Sequence, residues 1–150
     1  KTGDLKKLVD YSKKDFKKKY PVLKKVPLEI YKYHIWDMCD NLEELYDVGG
    51  DEFIFVYHNF LHDLFKFYSA FLRFDFFPAY QVKRFLLNEK DKTKYLISDF
   101  PDEVFTKLFL SAIKLKDVHL MMKAYKKLTD HVLVKMGGFD IDGWKIKSSV

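Results

Sequence analysis

The chain has 150 residues, which suits one domain, and its composition of 48% hydrophobic and 33% charged residues is typical of a globular protein. The single cysteine, Cys39, excludes an internal disulfide and a thiolate metal cluster, which favours a reducing, cytoplasmic location. No stretch has the pattern of a secretory signal or a membrane span, because charged residues and histidines interrupt the longest apolar segment.

The net charge of +5 is unevenly distributed along the chain. Residues 1–25 contain ten lysines and three aspartates, a net of +7, so the remaining 125 residues sum to −2. Such a segment is typical of a solvated helix face, and it also suits contact with phosphate, an acidic partner or an acidic neighbouring domain. It contains no arginine, which argues against bidentate recognition of phosphates or bases.

Two helices are predicted before the middle of the chain. The first runs from Thr2 to about Tyr20 and is stopped by Pro21. Its expected inward face consists of Leu5, Leu8, Val9, Ser12 and Phe16. The second begins near Pro27 and ends at Gly49-Gly50. Its apolar positions are Ile30, Tyr33, His34, Met38, Leu42 and Leu45 or Tyr46.

An aromatic segment follows, with twelve of the 27 aromatic residues between Phe53 and Tyr80. No single face of an amphipathic helix holds that many rings. We therefore expect a helix, capped by Asp51 and ending near Phe74 before Pro78, that neighbouring helices cover on several sides.

The remaining elements are shorter. We predict a helix over residues 79–88 with Val82, Phe85 and Leu86 buried, then a polar loop over residues 88–93 and a helical turn at 95–97. Pro101-Asp102-Glu103 opens a helix whose apolar positions are Val104, Phe105, Leu108, Phe109, Ala112 and Ile113. Asp117 begins the last long helix, which Gly137-Gly138 ends. Its stripe consists of Val118, Met121, Tyr125, Leu128, Val132 and Met136.

The predicted fold class is therefore all-α, a bundle of five to six helices around a central aromatic-rich helix, with a short extended C-terminal tail over residues 139–146. We expect one helical domain over residues 1–150. It begins at Lys1 without methionine, as a domain excised from a longer chain would.

Few residue patterns suggest chemistry. His58 and His62 lie one turn apart on the aromatic helix, a spacing that can hold zinc, but no HExxH pattern accompanies them. A histidine pair that packs on rings or lines a cleft is favoured over a metal site. Asp140 and Asp142 have the spacing of a Mg²⁺ pair but lack a phosphate-binding loop, so we expect an exposed turn. Cys39 is expected to be structural, because nearby acidic residues would raise the pKa of its thiol.

Arg73 and Arg84 are the only arginines, and they flank the turn at Phe77-Pro78. With Phe71, Tyr80 and Lys83 they combine rings and cations, which suits a ligand or partner contact. The alternative is structural pairing of the arginines with Asp75, Asp99 or Asp102.

The segment Phe65-Lys-Phe-Tyr-Ser-Ala-Phe-Leu-Arg-Phe-Asp-Phe-Phe-Pro78, followed by Lys83, resembles the helical C-terminal domain of kanamycin- and lincosamide-type nucleotidyltransferases. Pro101 opening a helix, Phe109-Leu-Ser-Ala112 within it, and Tyr125-Lys-Lys-Leu-Thr-Asp-His-Val-Leu133 extend the resemblance over roughly residues 27–138. It implies a helical domain that shapes an acceptor site or a dimer contact, while nucleotide and metal bind a separate N-terminal domain. Nothing in this chain matches that catalytic half.

The first hypothesis is therefore a non-catalytic substrate- or partner-binding helical domain of a nucleotidyltransferase-like protein, without cofactor or metal of its own. Its predicted site residues are Phe71, Arg73, Phe77, Tyr80, Lys83, Arg84, His58 and His62, and its partner would be the missing N-terminal domain or a second copy in a homodimer. The alternative is a protein–protein or nucleic-acid interaction module that uses the basic N-terminal helix to bind an acidic partner. A third hypothesis is an enzyme that uses the His58/His62 pair with a metal.

Overall fold

The computed structural model describes residues 2–16 and 21–144, and all regular secondary structure within these ranges is helical. This confirms the all-α class. The helices are α1 (Thr2–Phe16), α2 (Lys25–Val48), α3 (Asp51–Leu72), α4 (Ala79–Leu87), α5 (Glu89–Tyr95), α6 (Glu103–Ala112) and α7 (Val118–Lys135). In these ranges no helix has the length and apolar content needed to cross a bilayer, as the sequence predicted.

Helix α1 forms where predicted, but its apolar side does not face the core. Leu5, Leu8 and Val9 are 67%, 69% and 45% exposed, so their predicted inward orientation is wrong. Among the described residues, α2, α3, α6 and α7 pack on one another and α4 packs on α5. Helix α1 forms no packing of comparable extent with them, and its apolar residues face solvent. The side chain of Phe16 and residues 17–20, the predicted end of this helix, lie outside the described residues.

Helix α2 contains Pro27 in its first turn. Proline has no backbone N–H, and this causes no loss there because N–H groups of the first turn have no acceptor within the helix. Its buried side chains are Lys32, Ile35, Met38, Cys39 and Leu42. His34, predicted to be part of the apolar face, is exposed and stacks on Phe67 with ring centroids 5.7 Å apart. Gly49 ends α2 at φ 71°, a left-handed conformation that glycine adopts without steric cost.

Helix α3 ends at Leu72, slightly earlier than predicted, and Gly50 rather than Asp51 is its N-terminal cap. Asp51 and Glu52 lie in the first turn, where carboxylates interact favourably with the helix dipole. The buried side is a widened stripe of Phe53, Tyr57, Leu61, Leu64, Phe65, Tyr68 and Ser69. Phe55 is exposed, so the aromatic residues of α3 are not confined to its buried side.

Two short helices follow, and one of them corrects a prediction. Helix α4 buries Val82, Phe85 and Leu86, as expected. The predicted polar loop over residues 88–93 is wrong, because these residues form the cap and most of α5. The side chain of Asn88 accepts hydrogen bonds from the backbone N–H groups of Lys90 and Asp91 at 3.1 and 3.2 Å and so caps this helix.

Helices α6 and α7 largely match the sequence pattern. Phe105, Phe109 and Ala112 are buried in α6, whereas Val104 is exposed, contrary to expectation. The α7 stripe of Met121, Tyr125, Leu128 and Val132 is buried together with Met136 at its end.

The tail after α7 is not extended over its described part. Residues 141–143 form a turn, in which the backbone N–H of Trp144 donates to the Ile141 carbonyl at 3.2 Å. The Trp144 ring then stacks on Tyr33 of α2, with ring centroids 4.3 Å apart. A turn brings this ring back onto the bundle, which an extended strand would not do. Residues 145–150 lie outside the described residues.

Candidate functional site

The chain changes direction sharply where α3 ends. Arg73 adopts φ 60°, in the left-handed region, and its backbone N–H donates to the Ala70 carbonyl at 3.2 Å. The N–H of Phe74 donates to the Ser69 carbonyl at 2.9 Å. These bonds satisfy carbonyls that a helix end leaves unpaired, and they turn residues 73–78 back along the bundle.

The two phenylalanines before Pro78 lie on opposite sides of this segment. Phe77 is buried, and its ring contacts Phe65, Phe74 and Phe85 at centroid distances of 6.5, 5.9 and 4.9 Å. Phe76 is 44% exposed and packs against the ring of His62 at 5.0 Å. The Phe77 carbonyl lies 3.3 Å from His62 Nε2, which holds the segment against α3.

A cleft of about 390 Å³ opens beside this segment. We call it the aromatic cleft, and its lining consists of Pro21, Leu23, Tyr31, Lys66, Ala70, Phe74 and Phe76. Tyr31 of α2 is fixed by the Phe67 ring at a centroid distance of 4.9 Å. The walls therefore come from α2, α3, the turn after α3 and the chain before α2.

The chemistry of the aromatic cleft is simple. Three rings, one proline and one leucine supply apolar surface, and Lys66 supplies the cation of the lining. Small-molecule sites combine a concave, mostly apolar surface with a few polar groups that fix orientation, in volumes of roughly 300–1,000 Å³. The cleft suits a flat apolar group that carries a negative charge.

The described lining of the cleft includes none of the eight residues that the sequence selected. Phe71 is half-buried against Tyr68, Arg73 forms the end of α3, and Phe77 is in the core. Tyr80 and Lys83 are exposed on α4. The sequence could not show which rings near the end of α3 face outward.

Arg84 has a structural partner. Its guanidinium binds the Asp91 carboxylate through two nitrogens, with Nη2 to Oδ1 at 2.8 Å, and it lies 5.7 Å from the Tyr95 ring centroid. The Asp91 hydrogen bond raises the pKa of Arg84 and lowers that of Asp91. Structural pairing of Arg84 was the alternative that the sequence left open, with Asp75, Asp99 or Asp102 as partner, and its carboxylate partner here is Asp91. Asp99 binds Lys92 instead, at 2.6 Å.

His58 and His62 each pack on an aromatic ring. His58 is exposed and lies edge-on to Tyr57, with ring centroids 5.2 Å apart. Across residues 2–16 and 21–144, no three histidine, cysteine, aspartate or glutamate side chains are grouped so as to hold a metal ion. Packing of both histidines on rings agrees with the favoured interpretation. At Asp140, a side-chain oxygen accepts from the Asp142 N–H at 3.2 Å within an exposed turn.

Asp102 has three polar partners for its side chain within the described residues, and the sequence did not identify it as part of such a group. Its Oδ2 accepts from Tyr68 Oη at 2.6 Å and lies 2.7 Å from His131 Nε2, and its Oδ1 accepts from the Phe105 N–H at 2.9 Å. Burial opposes ionisation of Asp102, but these three donors outweigh it and lower its pKa to about 2. Burial and the Asp102 carboxylate together raise the pKa of Tyr68. The group joins α3, α6 and α7.

Cys39 is a buried free thiol. Burial raises its pKa to about 11, so very little thiolate is present at neutral pH. This agrees with the structural role that the sequence suggested.

A second cleft, of about 680 Å³, lies between α2 and α7. Its charged groups have both signs, and Lys126 pairs with Glu43 at 2.9 Å across the two helices. Tyr46 Oη lies 3.1 Å from His119 Nδ1. Both contacts join α2 to α7 at this cleft.

No protein-family model, curated protein or solved structure matches this chain.

Proposed function

We propose that this chain is the non-catalytic, substrate- or partner-binding helical domain of a nucleotidyltransferase-like protein, with its helices arranged around α3. The observation that carries the proposal is the aromatic cleft, which is open to solvent at the end of α3 where the sequence resemblance is concentrated. Rings of α3 contact α2, α6 and α7, for example Phe67 with Tyr31, Phe65 with Phe109 and Tyr57 with Tyr125. These contacts support the central position of α3.

The side chains support binding better than catalysis. Arg84 is bound to Asp91, and the Cys39 thiol is protonated at neutral pH. A nucleophile needs an adjacent base, and nucleotidyl transfer needs carboxylates that hold Mg²⁺. In this proposal the helical domain supplies an apolar wall and a cation, and a separate domain supplies the metal and the nucleotide.

The first test is the full-length gene. We expect the gene to encode, upstream of Lys1, a segment with a glycine-serine loop followed by an Asp-x-Asp pair. A full-length gene without this motif would overturn the assignment to a nucleotidyltransferase-like protein.

The second test measures binding in the aromatic cleft with the dye 8-anilinonaphthalene-1-sulfonate, a flat apolar molecule with one negative charge. Because one ring contact contributes about 0.5–1.5 kcal/mol, Phe76→Ala should weaken the dye's affinity roughly twofold to twelvefold. Lys66→Gln should reduce the dependence of binding on salt. Fluorescence titration gives both quantities.

Phe55→Ala and Lys83→Gln are the matched controls, because both residues are exposed and neither lines the cleft. If the control variants weaken dye binding as much as Phe76→Ala and Lys66→Gln do, the aromatic cleft is not the binding surface.

A further inference from the structure

The three rings that line the aromatic cleft each contact a further ring outside its lining. The pairs are Tyr31 with Phe67, Phe74 with Phe100, and Phe76 with His62, and their ring centroids lie 4.9, 5.0 and 5.0 Å apart. A ligand that binds between walls already fixed by packing loses less affinity to the ordering of side chains. The walls of the cleft are therefore preorganised for a planar apolar group.

Lys66 gives the aromatic cleft a positive charge that is available to a ligand. It lies one turn before Ala70, which also lines the cleft, and it is exposed. Its Nζ is 6.0 Å from the centroid of the Phe67 ring, and it forms no ion pair within the described part of the chain. The described lining contains no carboxylate. An anionic ligand therefore meets this ammonium group without displacing a carboxylate from it.

The donors of the cleft favour a carboxylate over a phosphate. A phosphate monoester carries more than one negative charge at pH 7 and three acceptor oxygens, and it is bound where several donors converge. The side chains of the described lining supply one ammonium group, from Lys66, and one phenol hydroxyl, from Tyr31. This matches the single charge of a carboxylate. The volume of about 390 Å³ is near the lower end for small-molecule sites, which suits one or two fused rings.

We infer that the ligand of the aromatic cleft is a small aromatic monocarboxylate, with its ring system packed on the rings of the lining and its carboxylate at Lys66. Since this ligand occupies the cleft to which binding is assigned above, its identity rests on the proposed function. The rings select a planar molecule, and Lys66 selects its charge. Lys66 is therefore the residue that distinguishes a carboxylate from a neutral molecule of the same shape.

Two probes of nearly equal shape test the role of charge. The first is 2-naphthoate, and the second is 2-naphthamide, its neutral analogue. Because an ion pair with an exposed lysine is worth little in water, we expect the wild-type protein to bind 2-naphthoate roughly 1.5-fold to fivefold more tightly than 2-naphthamide. Lys66→Gln should make the two affinities equal. Titrations followed by ligand-observed NMR spectroscopy measure affinities in this weak range.

Lys83→Gln is the matched control, because Lys83 is also exposed but does not line the cleft, and this variant should keep the preference for 2-naphthoate. Equal wild-type affinities for the two probes, or a preference that survives Lys66→Gln, would overturn the inference. A third probe, 2-naphthyl phosphate, should bind no more tightly than 2-naphthoate. Tighter binding of this phosphate would show that the monocarboxylate is the wrong ligand class.

A ring variant separates the ligand class from the proposed function. Phe76→Leu keeps an apolar side chain but removes the ring, and it should weaken both naphthalene probes roughly twofold to twelvefold. If it does so while the wild-type protein binds both probes equally, the cleft binds aromatic molecules and only the ligand class is wrong. The assignment to a nucleotidyltransferase-like protein is decided separately, by the gene upstream of Lys1.

Discussion

At the scale of single residues, Asp102 shows how one carboxylate can fix three helices. It lies directly before α6, where Oδ1 caps the helix, and Oδ2 contacts Tyr68 of α3 and His131 of α7. A buried carboxylate is stable only when hydrogen bonds replace its hydration. Asp102 should therefore contribute more to the free energy of unfolding than an exposed cap residue does.

We predict that Asp102→Asn lowers the free energy of unfolding at pH 7 by about 1–3 kcal/mol, the cost of weakening hydrogen bonds to a half-buried charge. The wild-type carboxyl has a pKa of about 2 in the folded protein, below the ordinary value of about 3.9. Its contribution is therefore fully present above pH ~4 and is lost as the pH falls towards 2. Urea unfolding at pH 7, 4, 3 and 2 measures this.

Tyr68→Phe is the control for that prediction, because it removes one donor and keeps the carboxylate and the cap. It should cost about 0.5–1.5 kcal/mol at pH 7. If the difference between wild type and Asp102→Asn stays constant from pH 7 to pH 2, the Asp102 carboxylate does not carry the acid sensitivity.

At the scale of elements, the end of α5 carries a conformational cost. Leu96 adopts φ 55° at the C-terminal cap, where its N–H donates to the Thr93 carbonyl, and its side chain is 79% exposed. The left-handed conformation costs a branched L-residue roughly 1–2 kcal/mol. Glycine adopts it freely but loses more entropy on folding.

We therefore predict that Leu96→Gly stabilises the protein by up to about 1 kcal/mol, because relief of backbone strain exceeds the added entropy cost. Lys83→Gly, at an exposed position inside α4, should instead destabilise by about 1 kcal/mol. Thermal unfolding followed by circular dichroism compares the two. Destabilisation by both variants would show that Leu96 contributes contacts that outweigh its strain.

The sequence predicted the ends of helices correctly where nearby residues, such as glycine or a capping aspartate, determine them. Gly49, Gly137 and the cap residue Asp117 mark helix ends, and the α7 stripe was predicted because its period alone fixes the buried side. Leu5, Leu8 and Val9 of α1 have a similar helical spacing but are exposed, because tertiary packing rather than spacing decides whether such a face is covered. Periodicity shows that a face is apolar, and it does not show what covers that face.

The candidate site was only partly predictable for a related reason. Phe76 and Phe77 are identical neighbours, and only the turn set by Arg73 decides which ring enters the core. Tyr31 joins the cleft from 45 positions earlier in the chain, and no local pattern connects it with Phe76. Asp102 was considered as a partner for arginine, whereas its actual partners, Tyr68 and His131, come from two other helices.

At the scale of the whole molecule, a cluster of phenylalanines joins α3 to α6 and to the segments before them. The Phe65 ring lies 5.4, 6.5 and 5.5 Å from the centroids of Phe100, Phe105 and Phe109, and its side chain has no exposed surface. Interiors are packed closely, so the loss of one ring leaves a cavity that its neighbours fill only in part. Stability should therefore depend on position within the aromatic helix rather than on aromatic content.

Phe65→Ala and Phe55→Ala test this on the same helix with the same chemical change. The first should cost about 3–5 kcal/mol, since it removes a fully buried ring, while the second should change stability by less than about 0.5 kcal/mol. A domain of this size is stable by roughly 5–15 kcal/mol, so Phe65→Ala removes a large share and shifts the urea midpoint accordingly. Similar costs at both positions would mean that Phe55 is covered in solution, and would place a further packing surface on the outer side of α3.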